Sequence, residues 1–253
     1  MTYFLENFLY DAIKAVKGAG TVIERAFSEN VDYKEKDKGE IVTPIDEEVE
    51  NFIYESLKHY NFNFEGEELG LIEGSEKDYK IILDPIDGTT NFYYKIGFFN
   101  IALALEYKNE VIIGVVYNPL SKELYYGMKG KGAFLNFTPI KAEEFKELNK
   151  SILGFCYGND KEDLDLLIKN YAKIRKKVKE FRRFGSANLE IVYSINKFHG
   201  FLGIGLKPYD FKASLLIAKE AGLKIEKDIF NRGKEGDFIV LRKGINLSDL
   251  FFD

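Results

Sequence analysis

Two aspartates three residues apart constrain this chain more than any other feature. They are Asp84 and Asp87, in the run Asp84-Pro85-Ile86-Asp87-Gly88-Thr89-Thr90-Asn91-Phe92. The run follows Tyr79-Lys80-Ile81-Ile82-Leu83, a short apolar segment that reads as a buried strand. If the strand breaks at Pro85 and turns at Gly88, both carboxylates can point into one space. Like charges that close repel, and each raises the other's pKa unless a cation sits between them. Carboxylate oxygens are hard donors that suit Mg²⁺, Mn²⁺ or Ca²⁺. The plainer alternative is an Asp-Pro turn followed by an Asp-Gly turn, since both dipeptides form turns readily.

A chain of 253 residues can bury a sizeable core as one large domain or two small lobes. With 45% hydrophobic and 30% charged residues it has the composition of a soluble globular protein. No apolar run approaches the roughly 20 residues needed to cross a bilayer, so no membrane role is expected. The first residues carry no basic segment and meet Glu6 and Asp11 early, which argues against a secretory signal. The single cysteine, Cys156, rules out an intrachain disulfide framework and suits the cytoplasm. Its strand-like flanks mark it as buried filler rather than a nucleophile. A net charge of −5 argues against nucleic acid as a partner. The one basic cluster, Lys173 to Lys179, reads as a helix with Ile174 and Val178 inward and a solvated basic face.

Residues 2–27 carry a helical apolar stripe, whereas 28–40 have almost nothing to bury and read as a mobile loop. Charge density there suggests a lid that orders over an anionic ligand, with Lys34 or Lys36 approaching it. Thr43-Pro44-Ile45-Asp46 is a helix start, with Thr43 as N-cap, Pro44 at N1 and Asp46 closing a capping box. That helix should reach about Tyr60, with Val49, Phe52, Ile53 and Leu57 inward. Phe98–Glu106 and Val111–Tyr117 form a hairpin, continued by strands at Glu123–Tyr126 and Ala133–Leu135. Further on, strands at Ile152–Tyr157, Phe201–Leu206 and Phe238–Leu241 alternate with helices at Lys161–Lys179, Ser186–Asn196 and Phe211–Ala221. An antiparallel-rich first half and an alternating second half predict a two-lobed α/β protein, divided near residue 140 into segments 1–140 and 141–253.

Three further segments complete a pattern: Ile41-Val42-Thr43-Pro44-Ile45-Asp46, Phe64-Glu65-Gly66-Glu67-Glu68-Leu69-Gly70 and Pro208-Tyr209-Asp210. In this order, together with the Asp84 run, they resemble the inositol monophosphatase family, including its archaeal members acting on fructose 1,6-bisphosphate. The resemblance covers nearly the whole chain and implies a layered αβαβα sandwich. It implies a Mg²⁺-dependent phosphatase with two or three ions, Mn²⁺ as a substitute and inhibition by Li⁺ and Ca²⁺. Glu67, Asp84 and the Ile86 carbonyl would hold one ion, and Asp84, Asp87 and Asp210 another. Thr89 would orient the attacking water, with Asp46 accepting from Thr89 and Glu67 assisting. Glu68 would stand just behind the metals. Gly88, Thr89, Arg183, Ser186, Ala187 and Lys207 would contact a small-molecule phosphate ester, and the protein would be a homodimer.

Each role has a plainer counterpart. Asp46 is also a helix cap, Thr89 reads as the N-cap of a helix starting near Asn91, and His59 and His199 look like surface or capping histidines. The chain also departs from the family. It has Tyr209 where members carry Trp, and Phe201-Leu202-Gly203-Ile204-Gly205-Leu206 offers no acidic grip for inositol hydroxyls. Arg182, Arg183, Lys207 and Lys212 could instead meet a second phosphate. Two other readings stand beside this one: a 3′-phosphoadenosine 5′-phosphate phosphatase, and a non-catalytic, transcription-associated regulator of the same fold.

Overall fold

The helical stripe at the start of the chain becomes one helix, α1 (Thr2–Phe27), in the computed structural model, which describes residues 2–29, 31–35 and 41–251. Its inward face, from Phe8 through Val16 to Ile23, is fully buried. Two short strands, β1 (Lys34–Glu35) and β2 (Ile41–Val42), pair antiparallel within and beside the segment expected to be a loop. Lys36, suggested with Lys34 for a lid, lies outside the described residues. Helix α2 (Pro44–Leu57) starts as expected. The Ile45 N–H donates to Thr43 Oγ1 at 3.3 Å, and Asp46 Oδ2 accepts the Thr43 N–H at 2.8 Å and its hydroxyl at 2.7 Å. A 3₁₀ turn, Lys58–Tyr60, extends it. Phe52 corrects the expected inner face. It is 41% exposed, and its ring lies across Gly18 of α1, where a Cβ would come within 2.8 Å.

Strands β3 (Phe62–Gly66), β4 (Gly70–Ile72) and β5 (Glu76–Asp87) lead into the short helix α3 (Thr89–Tyr93). Then come β6 (Asn100–Tyr107), β7 (Glu110–Asn118), β8 (Glu123–Met128), β9 (Gly132–Leu135) and β10 (Thr138–Ile140). They make an eight-stranded sheet in the order β10-β9-β8-β7-β6-β5-β3-β4, antiparallel except where β3 runs parallel to β5. Lys108 and Asn109, both at positive φ, close the β6–β7 hairpin. The rest of the chain gives β11 (Ile152–Tyr157), α4 (Lys161–Lys177), β12 (Glu180–Arg182), α5 (Ala187–Tyr193), β13 (Gly200–Ile204), α6 (Lys212–Glu220), β14 (Lys224–Lys227), β15 (Phe238–Leu241) and α7 (Leu247–Phe251). Five of these strands form a second, mixed sheet in the order β12-β11-β13-β15-β14.

Side-chain alternation along the strands stacks these elements into five layers. Leu83, Leu103, Leu105, Ile113 and Val115 face α1 and α2, while their neighbours Ile82, Ala102, Ala104 and Val116 face the opposite way, into the core around α5 and α6. In the second sheet, Cys156, Phe201, Phe238 and Val240 join that same middle core. Leu153, Phe155, Leu202, Ile204, Ile239 and Leu241 face α4 and α7. The order is therefore helices, sheet, helices, sheet, helices: the expected αβαβα sandwich. Small residues let the middle helices approach closely, since a Cβ at Gly114 of β7 would overlap the Ala213 carbonyl of α6. Among the described residues, no helix is long and apolar enough to cross a membrane.

Candidate active site

The two aspartates share a space because of an irregularity in β5, not because the strand stops. In a regular strand, residues three apart point to opposite faces. Here Asp84 pairs with Ala102 and Asp87 with Asn100, so three steps on β5 match two on β6. The extra residue of this bulge returns Asp87 to the face of Asp84. Pro85, which cannot donate to a ladder, sits within it. The strand thus runs through Pro85 to Asp87 rather than breaking there. Gly88 follows with φ +100°, and a Cβ would meet the Gly185 carbonyl at 3.0 Å, so only glycine fits. Gly88, not Thr89, is the N-cap of α3, and Thr89 is its first residue.

A cleft of about 640 Å³ opens here between the two sheets. From the first half of the chain it is lined by Glu67, Asp84, Ile86, Asp87, Gly88 and Thr89. From the second half it receives Arg183, Ala187, Lys207, Tyr209 and Asp210, and Cys156 lies against it. The Thr89 hydroxyl lies 3.0 Å from Asp46 Oδ1 and 2.9 Å from the Ile86 carbonyl; its single proton serves one acceptor at a time. Asp46 is buried, which raises its pKa to about 6 against the lowering effect of its bonds from Thr43 and Thr89.

Asp84 and Asp87 differ sharply in how they are satisfied. Asp87 accepts from Asn100 Nδ2 (2.8 Å), Ser186 Oγ (3.0 Å), the Ala187 N–H (3.0 Å) and the Asn188 N–H (2.7 Å). Burial raises its pKa, and these four donors pull it back. Asp84 Oδ1 is buried with no hydrogen-bond partner. Burial, and then the charges of Glu67, Asp87, Asp210 and Asp46, hold Asp84 well above the usual carboxylate range. A buried carboxylate oxygen without a donor, among further carboxylates, is a place where positive charge is wanting. The same cleft is lined by Glu67, Ile86, Asp87 and Asp210, whose carboxylate and carbonyl oxygens fit a hard divalent cation. Among the described residues, however, no three carboxylates close into a ready cage. Asp87 is engaged by its four protein donors, and Asp210 Oδ2 accepts the Lys207 N–H at 2.7 Å.

Several expected contacts are placed differently. Ser186 is fully buried and does not line the cleft; its hydroxyl donates to Asp87 and accepts from Asn100. Ala187 lines the cleft, but its N–H is bonded to Asp87. Glu68, expected just behind the metals rather than in contact with substrate, does not line the cleft, and its charge acts on Asp46. Of the four cations suggested for a second phosphate, Arg182 pairs with Glu180 and is exposed. Lys212 is paired with buried Glu106 at 2.6 Å, away from the cleft. Arg183 and Lys207 remain. The Arg183 guanidinium stacks 4.5 Å from the Tyr157 ring centre, and Lys207 Nζ lies 5.6 Å from that of Tyr209.

Sequence reasoning missed the supports behind the cleft. Asn188 binds Asp87 through its N–H and the Tyr209 carbonyl through its side chain, tying α5 to the segment that carries Asp210. Glu190 accepts the N–H groups of Phe184 and Gly185 and so holds the loop bearing Arg183. Burial pushes its carboxyl up to about 8 despite those bonds. Their only local signal is a polar residue inside an apolar helical run, and that pattern alone does not name a partner.

The family model for inositol monophosphatases matches residues 5–241. Nus factor SuhB of Vibrio cholerae is 33% identical over 217 residues, covering 83% of this chain and 81% of that protein. The solved IMPase of Thermotoga maritima is 29% identical with a TM-score of 0.82, covering 94% of this chain and 92% of the other. A solved inositol monophosphatase–fructose 1,6-bisphosphatase is 28% identical with a TM-score of 0.77, covering 92% and 94%. With a match over nearly its full length and the same layered fold, the chain belongs to the inositol monophosphatase family.

Proposed function

We propose that this protein is a phosphomonoesterase of the cytoplasm, acting as a homodimer on small sugar or polyol phosphates. Inositol 1-phosphate and fructose 1,6-bisphosphate are the leading candidates. The observation that carries the reading is the donor-less Asp84 Oδ1 in a cleft shared with Glu67, Asp87, Asp210 and the Thr89–Asp46 pair. The family generally uses Mg²⁺, and Glu67, Asp84, Asp87, Asp210 and the Ile86 carbonyl are the groups that would hold it. Residues 1–140 would thus supply most ligands and 141–253 would supply Asp210. Bound there, Mg²⁺ would neutralise the phosphoryl oxygens and lower the pKa of water.

The chain's own groups supply orientation. Ionised Asp46 takes the Thr89 hydroxyl proton in a hydrogen bond, which leaves the Thr89 oxygen to accept from a water in the cleft. The water's lone pair is thereby turned toward the phosphorus. The amides of Gly88 and Thr89 would bind phosphate oxygens. Arg183 and Lys207 would meet a second anionic group, which favours the bisphosphate.

Phosphate release from a panel of sugar, inositol and nucleotide phosphates, with and without Mg²⁺, tests this. Activity should be Mg²⁺-dependent and fall on the order of a thousandfold or more in Asp84→Asn. No release from any ester, or near-wild-type turnover by Asp84→Asn, would overturn it. A second reading, a transcription-associated role, is favoured by the relatives named Nus factor, and those names give no support to the expectation that nucleic acid is not a partner. Binding to RNA polymerase or RNA that survives loss of Asp84 would favour it.

A further inference from the structure

Helix α2 places two buried acidic side chains one turn apart on the same face: Asp46 and Glu50. Asp46 holds Thr89. Glu50 is fully buried and faces the turn between β3 and β4. Its Oε2 accepts the Glu68 N–H at 2.9 Å and its Oε1 the Leu69 N–H at 2.8 Å. These are the two residues directly after Glu67, which is held on its other side by an N–H bond to the Leu83 carbonyl of β5 at 3.3 Å. The chain at Gly66 is shaped to this clasp, since a Cβ there would overlap the Glu50 carboxylate.

We propose that Glu50 is a positioning residue that aims Glu67 at the cation. The proposal rests on the reading of Glu67 as a metal ligand given above. A carboxylate is the one side chain of this length with two oxygens to accept two parallel N–H groups. By fixing the two N–H groups that follow Glu67, while the Leu83 carbonyl holds the one at Glu67 itself, it sets where the Glu67 side chain enters the cleft. Because Asp46 and Glu50 stand on one rigid helix, the same element fixes the water-orienting hydroxyl and a metal carboxylate. Their separation is then set by helix geometry rather than by the turn at Glu67–Gly70 alone.

The test is direct ion binding by the full-length protein, with Mn²⁺ as probe and free ion read by its EPR signal. Glu50→Gln keeps the size but offers one acceptor and sets an amide N–H₂ against a backbone donor. Gly66→Ala displaces the carboxylate without touching any charge. Each should weaken Mn²⁺ binding about 10–100-fold, the usual cost of losing a group that orients a ligand. At saturating metal most of kcat should return, so the defect lies in half-saturation. Glu67→Gln is the control. If it weakens binding while Glu50→Gln and Gly66→Ala bind Mn²⁺ like wild type and merely melt earlier, Glu50 is structural and the proposal is overturned. If Glu67→Gln itself binds normally, the ligand reading of the site falls and this proposal with it. Should Glu50→Gln fail to fold, Glu50→Asp decides the matter. It keeps both acceptors one methylene further back, so intermediate affinity supports the proposal and wild-type affinity overturns it.

Discussion

Replacing Ser186 with alanine should make the protein easier to unfold while leaving its grip on substrate unchanged. The Ser186 hydroxyl donates to Asp87 Oδ2 at 3.0 Å and accepts from Asn100 Nδ2 at 2.8 Å, wholly out of contact with solvent. A hydrogen bond to a charged group contributes about 1.5–3 kcal/mol, and a neutral one about 0.5–1.5 kcal/mol. Asn100 keeps its second bond to Asp87, so the combined loss is about 2–4 kcal/mol. For a chain of this size each kcal/mol moves Tm by about 2–4 °C, so the drop should be roughly 4–16 °C. Thermal unfolding at neutral pH measures this, and initial rates at saturating Mg²⁺ give KM alongside. A Tm within about 1 °C of wild type together with a KM raised about tenfold would refute the reasoning and place Ser186 at the substrate.

Three further outcomes are expected. Arg183→Ala should raise KM for fructose 1,6-bisphosphate about tenfold or more while barely moving that for inositol 1-phosphate, because the charge would serve only a second phosphate; equal effects in kinetic assays would count against it. Lys212→Ala should leave the substrate ratio alone and instead destabilise by about 2 kcal/mol in denaturant melts. That is less than a wholly stranded buried charge, because Lys80 stays 3.5 Å from Glu106. His199 accepts the Ile152 N–H through Nδ1, and burial, helped by the Arg242 charge, lowers its pKa. The folded state therefore resists protonation, and stability present above 6.5 should be lost as pH falls below it. Melting across that range should show a steeper loss in wild type than in His199→Asn.

Elements with undiluted patterns were legible to the residue. Ile152–Tyr157 and Phe238–Leu241 are strands over those bounds, and Thr43 caps its helix through the bonds its sequence implied. Short or charged elements were not: Glu180–Arg182 and Lys224–Lys227 become strands only because an adjacent strand recruits them. Phe52 shows the limit of periodicity, which marks a spacing but not the edge of the core. The same division holds in the cleft. Glu67, Asp84, Asp87 and Asp210, which line it together, were legible because their segments carry recognisable strings. The bulge that aligns Asp84 with Asp87 was invisible, since it depends on register against β6. So were Glu50, Asn100 and Asn188, whose partners lie 13 to 101 residues away in sequence.

The middle layer of helices has a consequence for how the chain is made. Synthesis runs from the N-terminus, so α1 and α2 are available to cover their face of the eight-stranded sheet as soon as its strands emerge. The opposite face waits for α5 and α6, the second of which is complete at residue 220, some 80 residues after β10 ends at Ile140. At about 5–20 residues per second this leaves that face incompletely covered for roughly 4–16 s. The two faces are not equally adhesive. The one covered early carries Leu83, Leu103, Leu105, Ile113 and Val115, whereas the one that waits intersperses Ala102, Ala104, Gly114 and Ala133 among Ile82, Val116, Tyr125 and Leu135. The small residues that let α6 pack tightly in the finished protein also break up the apolar surface that the nascent sheet presents on this face.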